Sequence, residues 1–306
     1  MNNNVLITGG TGLIGTQLSK LLLAQGYQVS HLSRSYGQQV DPRIKTYQWD
    51  ISKKEIDPQA LQQADYVIHL AGAGVADERW TEKRKQVILK SRTESTQLLH
   101  DTIAHLGSHH IRAFIGASAI GLYGADTGER VLTEESPAQP GDFLSEVVQQ
   151  WEAQEDKIAQ LNIRTVKYRT GVVLSTKGGA LAPIAGTVRW GVGASLGDGQ
   201  QYVSWIHIED MSRMYLFALE NEELSGAFNA VAPEPVTNET LTRVTARTIG
   251  RPLWAPHVPG FALKAALGEM ASVVLGGNRV SSQKIEDAGF SFRFKTIDLA
   301  LADLLK

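Results

Sequence analysis

Three glycines near the amino terminus have the spacing of a phosphate-binding loop. In "VLITGGTGLIGTQL", Gly9, Gly12 and Gly15 lie between an apolar run that predicts a strand and an amphipathic run that predicts a helix. A first glycine permits the tight turn, a second lets the backbone approach a pyrophosphate, and a third allows close helix–strand packing. The helix N-terminus then presents N–H groups to the phosphates. We therefore predict a dinucleotide cofactor site with these loop residues: Gly9, Thr11, Gly12, Leu13, Ile14 and Gly15.

The end of the next predicted strand indicates which dinucleotide binds. "YQVSHLSRS" ends with Ser33 and Arg34, where an NAD-binding chain usually has a carboxylate for the ribose 2'-hydroxyl. A guanidinium pairs well with a 2'-phosphate, whereas a carboxylate repels it. The sequence therefore predicts NADP as the cofactor. The alternative is that Arg34 is only a solvated charge at a strand end.

The segments that must position this site alternate between short β-rich runs and longer helical patterns, which is typical of an α/β protein with a mainly parallel sheet. We predict a Rossmann-type doubly wound sheet over residues 1–175, completed by residues 206–232. We predict that residues 176–205 and 233–306 form a smaller substrate-side lobe. Within this lobe, residues 251–306 should form a separate C-terminal domain. The first helix should bury Leu18, Leu21 and Leu22 and turn Gln17, Ser19 and Lys20 toward water. A helix capped by Thr237 or Asn238 should end at Gly250.

Composition excludes several classes of protein. The chain has 306 residues, no cysteine and a formal net charge of -2, so disulfides, thiolate nucleophiles and sulfur-ligated metals are absent. The overall charge gives no electrostatic footprint for nucleic acid or an anionic membrane. The first residues resemble a strand more than a signal peptide, and Lys264 and Glu269 interrupt the most apolar late segment. We therefore expect a cytoplasmic protein that neither binds nor spans a membrane and does not bind nucleic acid.

Several further motifs carry a resemblance to a known family. They include "HLAGAG" at 69–74, "SAIGLYG" at 118–124, "WIHIED" at 205–210, "KSRTEST" at 90–96, "YRTGVVL" at 168–174 and a tail that begins "WAPHVPGF". Together with the glycine loop, they resemble the extended short-chain dehydrogenase/reductase superfamily. More narrowly, they are similar to the epimerase-like subfamily that ends in a short C-terminal domain. The resemblance covers essentially the whole chain.

The resemblance implies additional cofactor contacts. Asp50 would meet the adenine edge, although a simple loop aspartate is an equal alternative. Residues 70–72 would lie behind the nicotinamide ribose. Arg92 would face the cofactor, whereas an arginine at such a position is more commonly on a helix surface. The implied contacts beyond the glycine loop are Asp50, Leu70, Ala71, Gly72, Arg92 and Val172.

The usual catalytic pair of the superfamily is missing. There, a tyrosine and a lysine four residues later transfer the proton while the nicotinamide exchanges hydride. In "DFLSEVVQQWE" the corresponding residues are Phe143 and Val147, or Asp142 and Glu146 if the register slips by one. A phenyl ring does not titrate, and a carboxylate cannot replace the lysine charge.

Three candidate catalytic residues remain. Ser118 matches the superfamily's substrate-orienting serine. Tyr123 and Glu146 are the candidate proton donor or base, with a structural loop tyrosine and a solvated helix acid as the alternatives. His207 is more typical of a structural histidine. His105 and His109 have helical spacing but lack a third ligand nearby, so we predict no metal site.

These observations predict an NADP-binding, epimerase-like oxidoreductase that acts on a small molecule, with nucleotide sugars as one class of substrate. A second hypothesis is a catalytically silent NADP-binding protein that acts through a partner, for example in cell division. The superfamily often dimerises through the helices around 81–106 and 143–161, so a homodimer is a further expectation.

Overall fold

The computed structural model describes residues 3–35 and 41–306, and its largest element is an eight-stranded β-sheet. The strands of the described residues are β1 (Asn4–Thr8), β2 (Gln28–Ser33), β3 (Lys45–Asp50), β4 (Glu55–Ile56), β5 (Tyr66–His69), β6 (Ala113–Ala119), β7 (Val131–Leu132), β8 (Arg164–Thr170), β9 (Val172–Ser175), β10 (Gly178–Gly179), β11 (Tyr202–Val203), β12 (Trp205–His207), β13 (Gly226–Ala230), β14 (Val236–Thr237) and β15 (Arg279–Val280).

The strand order of the sheet is β13-β8-β6-β5-β1-β2-β3-β4, and every pairing is parallel except that of β3 with β4. The chain moves outward from β1 through β2 and β3, then returns to the other side of β1 with β5. The carboxyl ends of β1 and β5 therefore form the switch point at which such sheets bind ligands. The predicted α/β fold with a doubly wound parallel sheet is confirmed.

Helices cover both faces of the sheet. In the described residues they are α1 (Leu13–Ala24), α2 (Pro58–Gln62), α3 (Glu82–His105), α4 (Phe143–Ala159), α5 (Leu181–Arg189), α6 (Ile208–Glu220), α7 (Asn238–Ile249), α8 (Gly260–Leu267), α9 (Ser272–Leu275), α10 (Gln283–Asp287) and α11 (Ile297–Leu305). None of them is long and apolar enough to cross a membrane.

The two faces of the sheet form two cores because side chains alternate along each strand. Val5 and Ile7 of β1 pack with α1 and α6, whereas Leu6 packs with α2, α3 and α4. Leu18 and Leu22 are buried as predicted, whereas Leu21 is only half-buried. The prediction that Ser19 faces water was wrong, because its hydroxyl is buried and hydrogen bonded to the Gly15 carbonyl and the His31 ring.

The C-terminal residues pack on the rest of the chain. Phe290 and Phe292 join the core of the α6 face, and Phe294 stacks on His207 with 3.8 Å between ring centroids. The fully buried carboxylate of Asp210 accepts hydrogen bonds from the backbone N–H groups of Arg293 and Phe294, at 3.0 and 2.8 Å. The tail thus supplies partners that a buried charge needs.

The predicted caps of α7 are confirmed. Thr237 is the N-cap and its hydroxyl accepts a hydrogen bond from the Thr240 N–H, while Gly250 ends the helix with a φ of 74°. Both features follow from local sequence, because a threonine hydroxyl replaces a missing helical acceptor and glycine tolerates the left-handed region.

Candidate functional site

The glycine loop joins β1 to α1 at the switch point, and each glycine has a separate steric reason. Gly9 has a φ of 67°, and a Cβ there would lie 2.9 Å from the Leu70 carbonyl. A Cβ on Gly15 would overlap the Gly9 carbonyl oxygen and lie 2.6 Å from the Gly10 Cα. A Cβ on Gly12 would meet only the Gly9 oxygen, at 3.2 Å. Gly9 and Gly15 are therefore required by packing, whereas Gly12 leaves a cradle that an approaching phosphate fits.

The N-terminus of α1 is suited to an anion. Gly12 is the N-cap, so no side chain caps the helix, and the first turn contains no acidic residue. The positive end of the helix dipole therefore faces the loop without a protein carboxylate to neutralise it. Thr11, Leu13 and Ile14 belong to this turn or to the loop before it.

A buried network holds the loop after β5 against the glycine loop. The Thr8 hydroxyl is 2.7 Å from Nδ1 of His69 and accepts hydrogen bonds from the N–H groups of Leu70 and Ala71. Nε2 of His69 is 3.1 Å from the Ser95 hydroxyl, which itself donates to the Ser91 carbonyl. Burial lowers the pKa of His69 to about 3, so the imidazole is neutral. These bonds fix Leu70 and Ala71 at the switch point.

Arg92 lies beside this loop. Its guanidinium donates to the carbonyls of Ala73 and Ile88 and lies 5.1 Å from the Trp151 ring, and a Cβ on Gly72 would come within 3.2 Å of it. Burial, with a smaller contribution from Arg84, lowers the pKa of Arg92 to about 10. Among the described residues it forms no ion pair. Arg92 is therefore a half-buried cation next to Gly72, and its contact with the cofactor stays a prediction.

Three further predicted cofactor contacts, Ser33, Arg34 and Asp50, differ in what they touch. Arg34 is exposed just after β2, and within 3–35 and 41–306 it has no ion-pair partner; Ser33 accepts a long hydrogen bond from the Ser35 N–H at 3.4 Å. Asp50 accepts three bonds in the turn after β3, from Ser52 N, Ser52 Oγ and Lys53 N. The Ser52 hydroxyl is the largest cause that lowers the Asp50 pKa. One Asp50 oxygen thus stabilises its own turn.

Ser118 lies at the carboxyl end of β6, and its hydroxyl is committed to a carboxylate. It donates to Glu152 Oε1 at 2.6 Å, and Arg169 on β8 binds both Glu152 oxygens at 2.9 Å. All three side chains are buried. Burial raises the Glu152 pKa, but the hydrogen bonds and charge of Arg169, the Ser118 hydrogen bond and the charge of Lys167 together lower it more, so the net pKa is lowered. Glu152 and Arg169 were not predicted from the sequence, although Glu152 was within the quoted helix.

The segment after β8 folds back toward the glycine loop. Val172 begins β9, which pairs with β12, and its N–H donates to the Ser204 carbonyl at 2.8 Å. In β10, a Cβ on Gly178 or Gly179 would lie 3.7 or 3.5 Å from the Leu13 side chain. Chain from the second half of the protein therefore lies over the first turn of α1.

Two cavities elsewhere do not coincide with this loop. One, of about 820 Å³, lies between the β3–β4 turn and the outer side of α3, and the other, of about 410 Å³, lies at the amino end of β1 and β2. Neither is lined by the glycines. The described residues also contain no group of three His, Asp or Glu side chains that could hold a metal ion.

The chain is similar to known proteins over its full length. The sequence model of the NAD dependent epimerase/dehydratase family matches residues 5–167, and that of a domain of unknown function (DUF1731) matches residues 258–304. Epimerase family protein YfhF of Bacillus subtilis (strain 168) is 37% identical over 302 residues, which cover 99% of this chain and 98% of YfhF. The chain belongs to the NAD dependent epimerase/dehydratase family.

Two solved structures of relatives agree with this membership. The human epimerase family protein SDR39U1, crystallised with NADPH, is 31% identical with a TM-score of 0.87, and 99% of each chain is covered. The nucleoside-diphosphate sugar epimerase from Corynebacterium glutamicum is 32% identical with a TM-score of 0.80. That match covers all of this chain and 58% of the other.

In this epimerase/dehydratase family member, other side chains occupy the positions expected for the catalytic tyrosine and lysine. The Phe143 ring packs on Trp80, with 5.0 Å between centroids, and Val147 is buried. In the alternative register, Asp142 is the N-cap of α4 and Glu146 lies exposed in its first turn. Neither register supplies a cation next to a titrating hydroxyl.

Tyr123 has different hydrogen-bond partners from Ser118. Its hydroxyl is buried, donates to Asn229 Oδ1 at 2.7 Å and accepts from Arg169 Nη1 at 3.1 Å. Burial is the largest cause that raises the Tyr123 pKa. Tyr123 and Ser118 are thus connected through Arg169 and Glu152, whereas Glu146 joins neither of them by a hydrogen bond.

Proposed function

We propose that this protein is an NADP(H)-dependent oxidoreductase of the epimerase type, which exchanges hydride with a hydroxyl-bearing or carbonyl-bearing small molecule. The observation that carries the proposal is the cradle at Gly12, open beside an uncapped helix N-terminus. The residues present fit a dinucleotide there, because a pyrophosphate needs backbone N–H donors and close approach more than it needs side chains.

The preference for NADP rests on charge at the end of β2. Arg34 is exposed and unpaired among the described residues, and no acid follows Ser33 in the described part of that strand end. A 2'-phosphate would give Arg34 a charge-assisted partner. The human relative that was crystallised with NADPH supports the same choice.

The proposed chemistry uses Ser118 as the residue that receives the substrate oxygen. When bound, the nicotinamide supplies or accepts the hydride. Because the Ser118 proton is donated to Glu152, the serine lone pairs are available to a substrate hydroxyl. In the oxidative direction the substrate proton passes to Ser118 Oγ as the Ser118 proton passes to Glu152 Oε1, and in the reductive direction both protons return.

The strength of Glu152 as a base limits this reaction. Arg169 holds the Glu152 pKa low, so the carboxylate is a weak proton acceptor at neutral pH. We therefore propose slow or no oxidation of simple alcohols, and a substrate whose hydroxyl is more acidic. Tyr123 and Glu146 remain the proposed alternatives for the proton-transfer role.

A nucleotide sugar is the proposed substrate class, supported by the likeness to the nucleoside-diphosphate sugar epimerase of Corynebacterium glutamicum. The second hypothesis, a silent NADP-binding regulator of cell division, has no contact or relative described above in its favour.

The test is hydride transfer itself. Protein would be incubated with NADPH deuterated at the transferable position and with pools of nucleotide sugars and other carbonyl compounds, and products would be analysed by mass spectrometry. We expect deuterium in one compound class, with at least about tenfold less in Ser118→Ala at unchanged NADPH affinity. NADPH binding without deuterium transfer to any carbonyl compound, together with no absorbance of reduced nicotinamide when nucleotide sugars are added to the NADP+-bound protein, would favour the silent regulator instead.

A further inference from the structure

Two segments of the chain contain basic residues but no acidic ones, although the net charge of the whole chain is only -2. Residues 177–197 and 240–268, which we call the acid-free segments, contain no Asp or Glu, although the whole chain has 32. They contain six of its 30 Lys and Arg residues, so they carry a formal charge of +6 while the remaining chain carries -8. The basic residues of the two segments are Lys177, Arg189, Arg243, Arg247, Arg251 and Lys264.

The two acid-free segments are neighbours in the fold. Val258 N donates to the Ser195 carbonyl at 2.8 Å, and Gly197 N donates to the Val258 carbonyl at 3.0 Å. Leu181 of α5 and Leu241 of α7 also share one apolar core. The two segments therefore adjoin each other, and the side chains of all six basic residues are exposed. Arg247 is paired with Asp298, and the other five cations have no carboxylate partner among the described residues.

The same two segments expose large apolar side chains. Trp190 is 85% exposed, Phe261 77%, Trp254 71% and Val192 57%. The helix α8 buries none of its side chains. Scattered single apolar residues on a surface are ordinary, but aromatic residues concentrated in two adjoining segments indicate a binding surface.

We propose that this aromatic and basic surface, formed by residues 177–197 and 240–268, docks the protein on an anionic phospholipid surface. Trp and Phe side chains favour the depth of lipid headgroups, and nearby Lys and Arg side chains are attracted to anionic lipids. The absence of acids within the segments removes the repulsion that such a surface would otherwise meet. Docking would be peripheral, since no helix of the described residues can span a bilayer.

The charge also decides against a second copy of the chain as the occupant. A two-fold dimer places the same patch of both copies face to face. Here that arrangement would bring five cations of one copy toward five of the other, and none of the five has a carboxylate partner among the described residues. An anionic lipid surface supplies the missing opposite charge.

The test is sedimentation of the full chain with phospholipid vesicles. The vesicles would be phosphatidylcholine alone or phosphatidylcholine mixed with phosphatidylglycerol, at low and at high salt. The main variant is Trp190→Ser with Trp254→Ser and Phe261→Ser, and its matched control is Val87→Ser with Val131→Ser and Leu299→Ser, which are exposed apolar residues elsewhere. A charge variant, Arg251→Glu with Lys264→Glu, is paired with Lys83→Glu and Lys90→Glu on α3.

We expect binding to the anionic vesicles only, weakened by salt. The aromatic variant should bind at least about tenfold more weakly, and the charge variant should lose about tenfold or more. Both controls should bind as the unaltered protein does, and all variants should keep its melting temperature.

Three results would overturn the proposal. The first is no binding to anionic vesicles. The second is equal loss in the controls. The third is a dimer, measured by light scattering, that the aromatic variant abolishes while vesicles remain unbound. None of these outcomes depends on NADPH turnover, so the proposal stands or fails separately from the proposed function.

Discussion

The Ser118 hydroxyl donates a 2.6 Å hydrogen bond to Glu152, and the same carboxylate is held through both oxygens by Arg169. Ser118, which matches a substrate-orienting serine, is therefore hydrogen bonded to the buried ion pair of Glu152 and Arg169. This network connects α4 with β6 and β8. A substitution at Glu152 should therefore lower the stability of the fold as well as change the surroundings of Ser118.

Replacing Glu152 by Ala should destabilise the protein by about 3–5 kcal/mol, because Arg169 would remain buried without its counter-charge. Urea denaturation of the full chain measures this loss. The control is Asp156→Asn, which removes an exposed partner of Lys167 at 2.7 Å and should cost about 1 kcal/mol or less. Similar losses in both variants would contradict the assigned role of the buried pair.

Glu155 predicts an unusual pH dependence. It is fully buried against Gly116, neither carboxyl oxygen has a hydrogen-bond partner in the described part of the chain, and burial raises its pKa well above the ordinary value. The unfolded chain releases this proton above about pH 4.3, whereas the folded protein retains it, so stability falls as pH rises toward the folded pKa.

Glu155→Gln should therefore be nearly neutral at low pH and stabilising at neutral and alkaline pH. Denaturation midpoints of the two proteins across this range measure the difference, and Glu146→Gln is the exposed control on the same helix. A difference between Glu155→Gln and the unaltered protein that does not change with pH would show that Glu155 is not protonated in the folded state.

Two glycine variants separate packing from cofactor binding. Gly15→Ala should destabilise the chain by about 1–3 kcal/mol, because its Cβ overlaps the Gly9 carbonyl. Gly12→Ala should leave the melting temperature nearly unchanged and weaken NADPH binding at least about tenfold, because its Cβ occupies the cradle. Thermal melting and fluorescence titration measure both quantities. If Gly12→Ala binds NADPH with unchanged affinity, the pyrophosphate does not bind at Gly12.

Removal of the C-terminal residues should destabilise the rest of the protein. A chain that ends at Gly250 loses both tail N–H donors to Asp210 and exposes the apolar surface that Phe290 and Phe292 cover. We expect it to melt at a clearly lower temperature or not to fold. Asp210→Asn in the full chain should cost about 1–3 kcal/mol. Truncation with unchanged melting temperature and NADPH affinity would show an independent tail.

Local sequence predicted those parts of the fold and the site whose causes are local. The loop at Gly9, Gly12 and Gly15 and the caps of α7 are defined by residues that adjoin each other in the chain. The alternation of strand and helix patterns likewise predicted the parallel sheet. For the loop and the caps a single short segment carries the physical argument, and for the sheet the order of such segments along the chain does.

The remaining features depend on partners distant in sequence. Ser19 has the spacing of a surface position on α1, and only His31 on β2 explains why it is buried. Glu152 is one of several acids in its helix, and nothing in that segment shows that Arg169 will face it. The net charge of -2 likewise does not show that residues 177–197 and 240–268 contain bases and no acids. Pairings of this kind become visible only when tertiary contacts are known.

Calorimetric titration with NADPH and NADH tests the central claim most directly, performed on the unaltered protein, on Arg34→Ala and on the control Arg43→Ala. We predict that the unaltered protein and the control bind NADPH about ten- to a hundred-fold more tightly than NADH, because a guanidinium–phosphate contact contributes about 1.5–3 kcal/mol. Arg34→Ala should lose that preference while its NADH affinity is unchanged. Equal affinities for both nucleotides, or a preference that survives Arg34→Ala, would contradict the account.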